Sequence, residues 1–186
     1  TVISSNMFLE KKGLGNEVPF FICPFPPKYA NEIDELRKNL INQLRHSGII
    51  VLNINLYDLV VELMQNRGIW EKVLEIEPNI SQGEMMDLLT SVADPENHLI
   101  PAIADKMVAN DGFHVMFLSG VGEVFPYIRS HTVLNNLQST AKDRPTVMFF
   151  PGEYTQSLET GASLDLFARL KDDKYYRAFN ILDYKI

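Results

Sequence analysis

Short apolar runs bounded by turn residues alternate along this chain with longer stretches in which apolar positions recur every three or four residues. The runs predict strands and the stretches predict helices. Pro19 to Cys23 is the first run, stopped by Pro24 and the Pro26-Pro27 pair. Ile49 to Asn53 is the second, and its near-continuous apolar start predicts an inner strand covered on both faces. Phe113 to Leu118 is the third, and Thr146 to Phe150 the fourth, ended by Pro151-Gly152. Among the stretches, Tyr29 to Ser47 carries Ile33, Leu36, Leu40, Ile41 and Leu44 on one helical stripe, and Gly48 suits its left-handed end.

Tyr57 to Asn66 and Ile69 to Glu77 form two helical pieces broken at Gly68, with Pro78 closing the second. Ser81-Gln82-Gly83-Glu84 has the spacing of a capping box and opens a helix through Val92. Asp94-Pro95 restarts the chain, and Pro101 either kinks the helix that follows or marks its beginning. A further helical pattern covers Thr132 to Gln138. Leu164 to Leu170 alternates as a strand would, yet Leu164, Phe167 and Ala168 also suit one helix face. Lys171 to Lys174 is a turn and Tyr176 to Leu182 has strand composition, so this region is expected to add an antiparallel hairpin at the sheet edge.

Connections long enough to hold helices imply an α/β fold, a mostly parallel sheet with helices on both faces. The carboxyl ends of its strands share one edge. That edge is expected to receive Cys23-Pro24, the Asn53-to-Asp58 segment, Ser119 to Glu123, and Pro151 to Tyr154.

The third run breaks into Ser119-Gly120-Val121-Gly122-Glu123 before a helix, as ligand sites of open α/β sheets do. A nucleotide reading weakens at once. The chain has no Gly-Lys-Ser/Thr, the Gly120-Gly122 pair lacks a third glycine, and Glu123 places a negative charge where phosphate needs donors. Tight binding of a nucleoside triphosphate is therefore not expected. Gly120 and Gly122 are expected to make the tight turn, at least one with positive φ. Glu123 and Glu153 are candidates for a carboxylate pair, although acids after strands more often serve helix starts. Ser119, His131 and Asp58 suggest a triad only in residue type, since Ser119 lacks a Gly-x-Ser-x-Gly elbow. Arg129, near His131, completes the candidate edge. Tyr175 and Arg177 share one face of the last strand pattern, and such aromatics beside a cation are enriched at binding hot spots.

Composition narrows the class. With 186 residues and 46% hydrophobic positions, the chain is expected to form one domain over 1–186. A net charge of −7 disfavours strong direct nucleic-acid binding. The single cysteine, Cys23, precludes an intramolecular disulfide and a cysteine-based zinc cluster. His46, His98 and His114 show no metal-ligand spacing, and neither a metal nor a cofactor is implied. No apolar run approaches the roughly 20 residues of a membrane span. No signal peptide is evident, so a cytoplasmic location is expected. A first residue Thr1, without Met, points to a preceding piece.

Several blocks together resemble the BrxB family of BREX phage-defence systems. They are Gly13 to Phe20, Leu56-Tyr57-Asp58-Leu59, and Leu118 to His131 running into Leu134-Asn135-Asn136-Leu137. Pro151 to Tyr154, Leu166 to Leu170 and Tyr175 to Phe179 complete the set in order. The resemblance implies a small cytoplasmic component of a multi-gene system that methylates host DNA and blocks phage DNA replication. It implies other BREX components as partners, PglZ foremost, leaves a homo-oligomer open, and carries over no catalytic residue. Two readings follow. One is a non-enzymatic adaptor presenting the glycine-rich edge or the C-terminal hairpin to PglZ or another component. The other is a degenerate nucleotide- or nucleic-acid-handling enzyme using the 119–123 loop.

Overall fold

The computed structural model describes residues 2–12, 19–157, 161–167, 170–171 and 178–184. After a short opening turn come α1 (Asn6–Leu9), β1 (Phe20–Phe25) and α2 (Ala30–His46). Next are β2 (Val51–Asn55), α3 (Leu56–Asn66), α4 (Trp70–Ile76), α5 (Gln82–Val92) and α6 (Ile100–Ala109). The order continues with β3 (Val115–Ser119), α7 (Ser130–Leu137), β4 (Thr146–Ser157), β5 (Gly161–Leu166), β6 (Leu170–Lys171) and β7 (Ala178–Asn180).

The sheet path runs β2-β3-β4-β1-β7, and every neighbouring pair in it is parallel. Period-two alternation divides its side chains between two cores. Ile22, Ile54, Met116, Leu118, Met148 and Phe150 point to the face covered by α3, α5, α6 and α7. Phe21, Val115, Phe117, Val147 and Phe149 point to the face covered by α1 and α2. Each fully buried apolar side chain of this size contributes on the order of 1.5–3 kcal/mol. The mostly parallel α/β sheet with helices on both faces is thus the architecture found.

Local signals account for most boundaries. Gly48, at φ +78°, closes α2. Its N–H reaches Arg45 O at 3.0 Å and the N–H of Ile49 reaches Leu44 O at 2.9 Å, which satisfies two carbonyls left over at the helix end. Ser81 and Glu84 form the reciprocal capping box that opens α5. Pro101 falls in the first turn of α6, after a wide π turn over Pro95–Leu99, so it marks a beginning and no kink.

Five expectations need correction. First, β1 does not stop at Pro24 but continues to Phe25. Ile22 O accepts from Ile181 N, so the alternate residue Pro24 turns its missing N–H toward the same side, beyond the last β7 pairing at Asn180. Second, β2 is an edge strand, not an inner one, because Asn53 and Asn55 alternate with buried Leu52 and Ile54. Third, Pro151-Gly152 does not end β4; the strand, whose pairing with β3 ends at Met148, leaves β1 there and pairs onward with β5.

Fourth, the C-terminal hairpin is β4 with β5, extended by β6, and β7 instead joins β1 in parallel. In register with 152–156, the apolar side chains of 162–166 (Ala162, Leu164 and Leu166) face the core. Fifth, Leu36 is 54% exposed while Arg37 is 6% exposed, so the buried stripe of α2 runs Ile33, Arg37, Leu40, Ile41, Leu44. The next turn after Ile33 is Arg37, four residues on, and Leu36 is rotated off that line.

Candidate functional site

The carboxyl ends of β1, β2, β3 and β4 open into a cleft of about 470 Å³ on the α2 face. The chain leaves β1 for the α2 face and leaves β3 for the opposite, α7 face. Crevices of this kind, where connections diverge at strand ends, are where open α/β sheets hold ligands. A larger hollow, about 720 Å³, runs along Asn31 to Gln43, but among the described residues α2 alone lines it.

Ser119 lies at the cleft, the last residue of β3, on the same face as Val115 and Phe117. It is 7% exposed, and its buried hydroxyl has no hydrogen-bond partner. Gly120 follows at φ +76°, its carbonyl accepting from Glu123 N at 3.1 Å. Beside it, Asn55 Oδ1 caps α3 by accepting from Tyr57 N at 2.8 Å and Asp58 N at 3.3 Å. Gly122 and Glu123 complete this wall.

Opposite stands α2. Arg37 donates from Nη1 to Asn53 Oδ1 on the edge strand and from Nη2 to Asp34 Oδ1, one turn back. Lys38 also pairs with Asp34, at 2.8 Å. These contacts hold the Asp34 carboxyl below the usual range, the Lys38 hydrogen bond contributing most and Arg37 adding to it.

The apolar wall comes from Phe25, Phe149, Pro151 and Phe167. Phe167 has φ +54°, a left-handed conformation that costs a bulky residue on the order of 1–3 kcal/mol. Its N–H donates to Pro151 O at 2.8 Å, and its ring meets Phe125 edge-on at 6.5 Å. Near the rim, burial first, then the neighbouring Tyr57 and Glu123, push the Tyr127 hydroxyl up to about 12.

The structure therefore brings Ser119, Gly120, Gly122 and Glu123 together, with Gly120 supplying the expected positive φ. It does not bring Arg129, His131 or Glu153 to the same cleft. Arg129 is exposed before α7, and His131 in its first turn pairs Nε2 with Thr132 Oγ1 at 3.1 Å. Glu153 lines a separate hollow with Pro24–Pro27 and Tyr154, so Glu123 and Glu153 share no site. The Ser119–His131–Asp58 triad is not assembled, since the Ser119 hydroxyl meets no base. Tyr175 and Arg177 lie outside the described residues. Among the described residues, no group of three or more His, Cys, Asp or Glu is placed to hold a metal ion.

Arg37 and Phe167 were missed by sequence reasoning, whereas Asn55 lies in the segment expected at this edge. An arginine on the buried line of α2 was the available signal.

Cys23, near the end of β1, is a packed thiol. Burial pushes it up to about 11, leaving about one thiolate per thousand at pH 8. Native protein should react with iodoacetamide at pH 8 at least about a hundredfold more slowly than protein unfolded in guanidinium. Comparable rates would show an accessible cysteine.

The BrxB family profile, described as BREX protein BrxB, matches residues 52–181. The chain belongs to the BrxB family. The match covers β2 through β7, and with them the Asn55, Ser119-to-Glu123 and Phe167 sides of the cleft. A BREX protein BrxB from Bacillus cereus (strain H3081.97) is 35% identical over 97% of this chain and 92% of its own length. Another, from Escherichia coli O9:H4 (strain HS), is 26% identical over 97% of this chain and 86% of its own. No solved structure matches this BrxB-family chain. Among its described residues, no helix is long and apolar enough to cross a membrane.

Proposed function

We propose that this BrxB-family chain is a non-enzymatic adaptor of a BREX phage-defence system that works in the cytoplasm and docks another system component, PglZ foremost. One observation carries the reading. Among the described residues, the large exposed aromatic side chains are Tyr29, Tyr57 and Phe167. All belong to segments that border the strand-end cleft, and exposed Glu123 and Glu153 stand nearby. Amphipathic aromatics give large contact area at small entropic cost, and a rim of acids favours a partner patch bearing Lys or Arg. The unpartnered Ser119 hydroxyl supports a role without nucleophilic catalysis.

The test is co-purification of this protein with tagged PglZ, and pairwise with each other component of its operon. Tyr57→Ala combined with Glu123→Lys should keep the melting temperature within a few degrees, because both side chains are exposed. The double variant should lower association about tenfold or more. Full association by the folded variant would remove the interface from this edge. A loss with Arg177→Glu alone would place it in the C-terminal segment.

A further inference from the structure

The cleft at the strand ends has an unusual division of chemistry. One side offers hydrogen-bond donors. The Ser119 hydroxyl is buried and without a partner. Asn55 spends its oxygen capping α3, which leaves its amide N–H groups as donors. Arg37 is fixed by Asn53 and Asp34 and has further N–H groups beyond those two bonds. The other side is flat and apolar, made by Phe25, Pro151 and Phe167. Gly122 leaves that wall open: a Cβ there would come within 3.1 Å of Phe167 Cε1 and Pro151 Cγ.

Charge decides which acceptors suit these donors. The lining holds one guanidinium, Arg37, against two carboxylates, Asp34 and Glu123. With Asp34 occupied by Arg37 and Lys38, Glu123 stands as the excess negative charge at the glycine-rich turn. A phosphate chain entering there meets repulsion from Glu123, whereas a neutral ring edge carrying carbonyl oxygens or ring nitrogens can accept from Ser119, Asn55 and Arg37 without bringing a second negative charge to that turn. Its apolar faces match the Phe167–Pro151 wall, and about 470 Å³ is within the range that encloses one small molecule. Phe167 is also held in a left-handed backbone at the cleft, the kind of strained residue that clusters at ligand clamps.

We infer that this cleft binds a small uncharged heteroaromatic ligand of the nucleoside class, its ring stacked on Phe167 and its acceptor edge on Ser119, Asn55 and Arg37. The inference does not depend on the adaptor reading: Phe167 is common to both, but Tyr29 and Tyr57 do not line the cleft, whereas the donors do.

The experiment is calorimetric and saturation-transfer titration of the intact protein with adenosine, guanosine, cytidine and uridine, and with their 5′-triphosphates plus Mg²⁺. At least one nucleoside should saturate with a dissociation constant below about 1 mM, and its triphosphate should bind about tenfold more weakly or worse. Asn adopts left-handed backbone readily, so Phe167→Asn should keep the fold while weakening that nucleoside about tenfold. Ser119→Ala should weaken it by a similar factor. If no nucleoside saturates by several millimolar, the site is not of this class. Tighter triphosphate binding, or unchanged affinity in both folded variants, equally overturns it.

Discussion

Gly120→Val is expected to lower folding stability by about 2–4 kcal/mol. At φ +76° a β-branched residue is strained whatever space surrounds it. Here the space is also taken. A Cβ at Gly120 would overlap Asn55 Oδ1 and lie 2.9 Å from its Cγ and 3.1 Å from Leu56 N. The Asn55 side chain has little freedom to retreat, because its oxygen holds the first turn of α3 through Tyr57 N and Asp58 N. Displacing it uncaps that helix, a loss of about 1 kcal/mol in itself. Backbone strain and the lost cap fall on one residue pair, so their costs accumulate.

Gly122→Ala is the matched control. Its nearest neighbours are the ring atoms of Phe167 and Pro151 at 3.1 Å, in the loop beside the cleft, where a shift of a few tenths of an ångström relieves the contact. It should cost about 1 kcal/mol or less. Urea unfolding of both variants measures the difference. A Gly120→Val midpoint indistinguishable from the parent would refute the strand-turn-helix account of the site.

The sheet was legible in the sequence wherever one residue type answers one local requirement. Ser81 and Glu84 announced a helix start because the reciprocal bonds need those two side chains three residues apart. The Ser119-to-Glu123 turn stood out because an inner strand buried at all five positions ends abruptly in glycine. What escaped is set by partners distant along the chain. Gly152 reads as the end of a strand. In the structure it lies inside β4, where a Cβ would overlap the Asp165 carbonyl oxygen and come within 2.9 Å of Phe150 Cε1.

Nothing local to Pro151-Gly152 announces that β5 will press against it. Likewise, β7 has strand composition, but composition does not choose between an antiparallel partner close in sequence and β1, far away and parallel. Arg37 was lost for a third reason. Its hydrocarbon stem fills the apolar line of α2 while its head reaches polar groups at the sheet edge. A pattern that scores arginine as polar moves the stripe to Leu36 instead. Since Arg37 stands with Ser119 and Asn55 on the donor side of the cleft, that small misreading hid one of its three donors.

Phe21→Ala is expected to be the more damaging of the two substitutions, at about 3–5 kcal/mol. Phe21 is fully buried in β1, which lies between β4 and β7. Its ring sits 4.6 Å from that of Phe8, 5.7 Å from Phe179 and 5.3 Å, edge-on, from Tyr184. Those rings come from α1, β7 and the segment after β7, so one side chain joins both ends of the described chain to the middle of the sheet. α1 has only four residues, too few to be helical alone, and depends on that contact to stay docked.

Truncation to Ala should therefore do more than leave a void. The cavity is bordered by two short elements, α1 and β7, which gain freedom to detach. Hydrogen exchange should show amides of 6–9 and 178–180 losing protection before those of β3. For a chain of this length the melting temperature should fall by about 6–20 °C. Leu36→Ala, at a side chain 54% exposed on α2, serves as the reference and should stay within about 0.5 kcal/mol of the parent. A Phe21→Ala loss below about 1 kcal/mol, or uniform exchange across the sheet, would mean that the two termini are held by contacts other than this ring cluster.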